Sequence, residues 1–353
     1  MALLAGGRKV APGAILGNVA ALAAGLLVML ILGEIALRII DLGHPYYSAS
    51  EMYQPSDDPR VLFEPRPHFD GFSEGVQVKT NSRGLREREL PLTPAAGTRR
   101  VVFLGDSVTF GAGVRDDEPF PRLLEAAVNG PRGQASSGGG PIETVNTGVV
   151  GYNTVQELAR LEQAGLPYQP STVVLVFVVN DLLETFSIFD HQYEPTGALA
   201  GPKVWLRRNS NLYRFVQQAY WRIGQELRRS REGPTEPLRK RERMDERLAT
   251  LAEIVRVTRA NNAGFLLVMY PDNLGDPVSP GPSGERLTVR EELVQFAERE
   301  GVPVFDLTDA LGDVRDPRAR QFRLSEDPHP SPAGHRAIAD ALVMPLTDAL
   351  GRR

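Results

Sequence analysis

From Thr172 to Val179 the chain runs through β-branched and aromatic residues, apolar at every position after the first. A strand apolar on both faces must be covered on both faces, which is the condition of an interior strand in a parallel sheet. Four shorter runs share its character: Arg100–Leu104, Glu143–Asn146, Phe265–Tyr270 and Val302–Asp306. Helical patterns lie between them. Asp245–Asn261 repeats apolar residues at Leu248, Leu251, Ile254 and Val255, the spacing of one helical face. Thr154 opens a Thr-x-x-Glu capping box closed by Glu157. Ser331 followed by Pro332 reads as an N-cap with proline at the first helical position. Strands alternating with helices predict a doubly wound α/β fold, a three-layer sandwich around a five-stranded parallel sheet. Hydrophobic residues make up 42% of the chain and charged ones 24%, so a packed core can form.

A second constraint sits at the N-terminus. Ala14–Leu32 carries no charge over 19 residues, close to the roughly 20 that a helix needs to cross a hydrocarbon core. Arg8 and Lys9 precede it, and Glu34, Arg38 and Asp41 follow. The basic flank predicts a single-pass membrane helix with a cytoplasmic N-terminus and the rest of the chain extracytoplasmic. A cleaved signal sequence, cut near Ser48–Ser50, is the rival reading. The expected organisation is residues 1–43 as N-terminus and anchor, 44–97 as an extracytoplasmic linker with short strands such as Val76–Thr80, and 98–353 as the main domain. That domain carries an insertion at about 182–244.

Four segments combine a strand end or helix start with polar residues. Val101–Leu104 runs directly into Gly105-Asp106-Ser107, and ligands of open α/β sheets bind at the carboxyl ends of strands. A serine there has an exposed hydroxyl and backbone N–H groups beside it. Val145–Thr154 holds Gly148 and Gly151, where a substrate can approach the backbone and an N–H can face a developing oxyanion. Asn180-Asp181 closes the most apolar strand. Ser325–His335 places His329 just before the last helix, with Glu326 and Asp327 upstream to orient its ring. Singly, each has a structural reading as a turn, a cap or a solvated histidine. The chain has only five histidines and no cysteine, which removes disulfides, thiolate metal sites and cysteine nucleophiles. It also lacks a close histidine pair at helical metal-binding spacing, and no cofactor or metal is expected.

Taken together and in order, Gly-Asp-Ser, the glycine block, Asn-Asp and an acid before His-Pro resemble the four blocks of the SGNH/GDSL hydrolases, over roughly Arg99 to Leu350. Thr80-Asn81-Ser82-Arg83-Gly84-Leu85-Arg86 is similar to a short motif that precedes the domain in membrane-anchored bacterial members, read here as structural. The resemblance implies an SGNH/flavodoxin-like fold and an ester-cleaving serine enzyme. Ser107 would be the nucleophile, His329 the base, and Asp327 or Glu326 its acid partner. Ser107, Gly151 and Asn180 would form the oxyanion hole. One departure is Val178, where the family commonly has glycine.

The implied substrate is an ester-bearing small molecule, lipid or polysaccharide, for instance an acetylated surface saccharide. The same site could serve an O-acyltransferase, and a non-catalytic binding or scaffold protein would keep the fold without the chemistry. A net charge of -4 argues against nucleic acid as a partner. Within the insertion, Asn209–Leu227 repeats apolar residues at Leu212, Phe215, Val216, Ala219, Tyr220 and Ile223 among many arginines. It fits either a core helix with a solvated basic side or a lid or interfacial helix on an anionic surface.

Overall fold

The computed structural model describes residues 12–40, 52–73, 76–131, 140–183, 185, 200–229, 236–278, 287–313, 315–324 and 327–351. The chain divides into two compact units, Met1–Tyr46 with Pro195–Ser230 and Tyr47–Glu194 with Arg231–Arg353. The cleavage alternative near Ser48–Ser50 lies outside the described residues.

The first unit is helical. Helix α1 spans Pro12–Ile39, and its Gly17–Ile39 portion is long and apolar enough to cross a membrane.

The second unit opens with two antiparallel hairpins. Strand β1 (Tyr53–Pro55) pairs with β2 (Phe63–Pro65), and β3 (Asp70–Ser73) with β4 (Val76–Lys79). The sequence reads this stretch as a linker. In the structure Tyr53, Phe63 and Val78 form an apolar cluster with Phe110, Val149 and Tyr152, and the Tyr152 hydroxyl donates to the Phe63 carbonyl. The Thr80–Arg86 motif follows. The Asn81 carboxamide oxygen accepts from the N–H groups of Arg83 and Leu85, folding the motif into a tight turn. That turn delivers Arg86, whose buried guanidinium donates to the carbonyls of Gly111 and Val114. It lies 5.0 Å from the centre of the Phe110 ring, a cation–π contact. The motif thus braces the loop behind Ser107.

The sheet contains β5 (Arg99–Leu104), β6 (Ile142–Asn146), β7 (Thr172–Phe177), β8 (Gly264–Met269) and β9 (Val304–Asp306), all parallel, in the order β6-β5-β7-β8-β9. The five predicted strands are these five. Alternate residues feed opposite cores: Val102, Leu104, Val173 and Leu175 on one face, and Val101, Phe103, Val174 and Val176 on the other. Two of the helices that cover the first face are α7 (Glu236–Ala260) and α8 (Val289–Glu300), while α3 (Phe120–Val128) and α10 (Pro332–Gly351) cover the second. The chain leaves β5 toward β6 on one side and returns to β7 on the other. The carboxyl end of β5 is therefore the switch point where open α/β sheets bind ligands, and Ser107 stands there.

Two local expectations need correction. The helix α4 (Thr154–Arg160) is capped by Asn153, not Thr154. The Asn153 side chain accepts from Val155 and Gln156 N–H, and Gln156 returns a bond to the Asn153 N–H. Asparagine is among the best capping residues, and this shift by one turns Glu157 into the core. Strand β7 ends at Phe177, short of Val179, because the Asp181 carboxylate accepts from the Val178 N–H and closes a 3-10 turn over Val179–Leu182. The predicted N-cap at Ser331 is present, with its hydroxyl accepting from the Gly334 N–H.

His335, on α10, is wholly buried. The Phe120 N–H donates to its Nδ1 at 3.2 Å, and its ring stacks on that of Phe120. Burial first, then the electrostatic influence of Arg86 and His329, lower its pKa from 6.5 to about 3. The fold accepts the neutral ring. Its contribution is complete above the unfolded value of about 6.5 and is lost as pH falls from there toward 3, at up to about 1.4 kcal/mol per pH unit. Thermal unfolding from pH 7 to pH 4 should therefore show a steeper loss of Tm in the wild type than in His335→Gln. Parallel slopes would mean that the buried ring takes up a proton without cost.

Candidate active site

Strand β5 ends in a turn that carries Gly105, Asp106 and Ser107, and the short helix α2 (Ser107–Phe110) follows at once. Asp106 caps this helix, its Oδ1 accepting from the Val108 N–H at 2.9 Å. Its other oxygen, Oδ2, accepts from Asn180 Nδ2 at 2.6 Å. One buried carboxylate thus ties the end of β5 to the turn after β7. Desolvation raises the Asp106 pKa, opposed by the hydrogen bonds from Asn180 and the Val108 N–H.

His329 reaches the same place from the opposite end of the chain. It lies in β11 (Asp327–Pro330), paired antiparallel with β10 (Arg323–Leu324), immediately before α10. Its Nε2 stands 2.6 Å from Ser107 Oγ. The alternative partner of that hydroxyl, Asp106 Oδ2, is 3.3 Å away. The imidazole is thus the nearer of the two partners of that hydroxyl. Ser107, Asn180 and His329 are separated by most of the sequence and come together in one site.

The glycine block runs alongside. The Asn146 side chain donates to the Thr109 carbonyl and its oxygen accepts from the Gly148 N–H. A Cβ at Gly148 would lie 2.6 Å from the Phe110 nitrogen, so only glycine lets this loop cross α2 so closely. Val149 N–H donates to the Gly105 carbonyl, fastening the loop to the serine turn. Gly151 follows at φ 81, a left-handed conformation suited to glycine. Val178, the departure from the family pattern, is extended at φ -119. Its backbone needs no glycine, and Asn180 keeps its place.

Of the two acids expected to support His329, Glu326 lies outside the described residues. Asp327 is placed by its backbone in β11, and its side chain too lies outside the description. The sequence reading missed three other groups. Asp106 passes for an ordinary turn residue, and only the contact with Asn180 marks it. Arg247, on α7, is buried and donates to the carbonyls of Asp181 at 2.6 Å and Leu183 at 2.9 Å, which pins the turn that bears Asn180. Glu157 and Asp181 are both fully buried, and both pKa values are driven well up, Glu157 by desolvation and then the charges of Asp181 and Asp106, Asp181 by desolvation and then the charge of Asp106. Neither Glu157 oxygen has a partner among the described residues.

The model of the GDSL-like Lipase/Acylhydrolase family matches residues 103–337, more than half of the chain. The chain belongs to this family. It is a serine-type hydrolase of ester bonds, with its Gly-Asp-Ser at residues 105–107. No curated protein sequence matches it significantly. Among solved structures, TesA matches with 17% identity over 71% of this chain and 99% of its own, at a TM-score of 0.41. The psychrotrophic esterase EstA from Pseudoalteromonas matches with 14% identity over 72% and 97%, at 0.42. A mutant of Axe2, an acetyl-xylooligosaccharide esterase from Geobacillus, matches with 18% identity over 73% and 96%, at 0.41. Scores this low carry no weight here beside the family match and the geometry.

Asp106→Asn should lower kcat by about 10²-fold, the scale of one mispositioned oxyanion donor, with KM little changed. Asparagine still caps α2, but its amide group would meet the Asn180 amide donor to donor. Circular dichroism should show the fold retained, and an unchanged kcat would mean that Asn180 is held without Asp106.

Proposed function

We propose that this GDSL-family hydrolase cleaves an O-acyl ester through an acyl-enzyme on Ser107. The observation that carries the reading is the 2.6 Å contact between His329 Nε2 and Ser107 Oγ. A serine hydroxyl is a weak nucleophile until a base takes its proton, and the imidazole is in position to do so. Oγ attacks the ester carbonyl, and the proton passes to Nε2. As the tetrahedral intermediate collapses, the protonated imidazole returns the proton to the departing alcohol. A water, activated by the same nitrogen, then releases the acid.

The oxyanion would be received by the Ser107 N–H, the Gly151 N–H and the Asn180 amide. One amide hydrogen of Asn180 is committed to Asp106 and the other remains for the substrate, so the bond to Asp106 aims the donor. The carboxylate that supports the imidazolium is assigned to Asp327, with Glu326 as its rival. The substrate class is an O-acyl ester, such as an acetylated surface saccharide or a lipid.

Helix α1 is read as a single-pass anchor with its N-terminus cytoplasmic and the hydrolase domain outside. Its length and the position of Arg8 and Lys9 support this.

Ser107→Ala should abolish covalent labelling by a fluorophosphonate probe and lower turnover by several orders of magnitude, while the wild type releases acyl groups into water. Turnover that survives in Ser107→Ala would remove the mechanism. Release that depends on an added saccharide acceptor would convert the reading to an acyltransferase.

Asp327→Asn should reduce kcat more than Glu326→Gln, since each change removes charge at nearly constant size. The reverse order in the same assay would transfer the role to Glu326.

A further inference from the structure

In the first unit, α5 (Ala200–Asn209) and α6 (Asn211–Arg229) meet α1 where one ends and the other begins. The Glu34 carboxylate accepts from Ser210 Oγ at 2.8 Å and from the N–H groups of Asn211 and Leu212 at 3.0 and 2.9 Å. It therefore caps α6 from another helix. Arg38 pairs with Glu34 and donates to the Asn209 carbonyl at 2.6 Å. Leu212 packs over Gly33. Gly33 and Glu34 are half-buried and Leu37 is buried, whereas Gly17–Leu32 is exposed throughout. A helix of 19 residues is roughly 28 Å long. Laid back along α1 it would cover that exposed stretch, so it leaves α1 at the level of Glu34 to Arg38.

The face that starts with Leu212 continues without a cover. Phe215 is 41% exposed, Val216 57%, Tyr220 80% and Ile223 61%, and Trp205 on α5 is 62% exposed. These are not the residues of a core helix. A contiguous apolar face of this kind marks an interaction surface. Its starting point identifies what covers it. Glu34 and Arg38 are the first charged residues after the apolar run of α1, so they stand where hydrocarbon gives way to water. A helix capped at that depth, apolar on one face and carrying Trp and Tyr, has the composition of an interfacial helix. Residues 200–229 also hold seven Lys and Arg against one Glu, complementary to anionic headgroups.

We propose that α6 lies in the membrane interface, with Val216, Ile223 and their neighbours among the acyl chains of a leaflet containing anionic phospholipid. The proposal rests on α1 spanning that membrane. The helix then fixes the depth and tilt of the anchor's outer end.

The test uses the full chain reconstituted in phosphatidylcholine vesicles with and without phosphatidylglycerol. The two tryptophans, Trp205 and Trp221, both fall in this region, so a Trp205→Phe/Trp221→Phe/Ile223→Trp variant reports from α6 alone. Its emission should shift to shorter wavelength, lose intensity with acyl-brominated lipids and resist acrylamide. The effect should be greater with phosphatidylglycerol at low salt. Adding Val216→Asp should reverse it while turnover of a soluble ester stays unchanged. Protein that floats with the vesicles after alkaline extraction but shows acrylamide quenching without lipid quenching would overturn the proposal and leave the anchor standing. Protection from acrylamide without lipid quenching, lost on dilution, would mean that a second copy covers the face. Equal lipid quenching in neutral vesicles would remove the anionic preference. Protein that alkaline extraction strips from the vesicles would overturn the anchor and this inference together.

Discussion

The Asp106 carboxylate is where the architecture and the chemistry share an atom group. One oxygen caps α2 just after β5, and the other holds Asn180 in the turn after β7. Both strands are interior to the sheet, so their ends are set by the packing of two apolar cores and not by the loops. A full desolvation penalty falls on this carboxylate. It is offset by donors that the helix terminus and the asparagine supply. Removing either donor would leave a buried acceptor short of a partner, a cost of about 1–3 kcal/mol. The strand ends are thus held in the one register that also places a serine beside an amide.

Around that bond the chain adds supports in layers. Arg247 grips the turn of Asn180 from behind, and Arg86 grips the loop after α2. Both guanidiniums are buried and each donates to two backbone carbonyls, a use that suits the rigid fork of arginine. The N-terminal hairpins, through Phe63 and Tyr152, cover the glycine block. Placement of catalytic groups within a few tenths of an ångström requires rotamers locked by neighbours of this kind.

The helical unit poses a different problem. In water, α6 with Val216, Tyr220 and Ile223 uncovered would be an unfavourable surface. On the proposal that α1 crosses a membrane, that face becomes a second point of attachment. The Glu34 carboxylate satisfies first N–H groups of α6 from another helix, donors that a helix leaves without an internal partner.

The α/β class and the five strands were legible in the sequence because a strand buried on both faces, such as Thr172–Phe177, has no polar position to disguise it. The family was legible because Gly-Asp-Ser, the glycine block, Asn-Asp and the acid before His-Pro, each ordinary alone, follow one another in the family's order. Element boundaries were less so. Asn153 and Thr154 are both good caps, and the choice shows only in the bonds that Asn153 exchanges with Gln156. The roles of Asp106 and Arg247 were not legible at all: an aspartate in a turn and an arginine in a charged helix are locally ordinary. What distinguishes them is a partner 74 and 66 residues away in the chain, and such proximity exists only once the sheet has closed. The same holds for α6. Its amphipathic pattern is local and readable, but whether that face meets a core or the outside depends on where Glu34 caps it, and that is a tertiary contact across 177 residues.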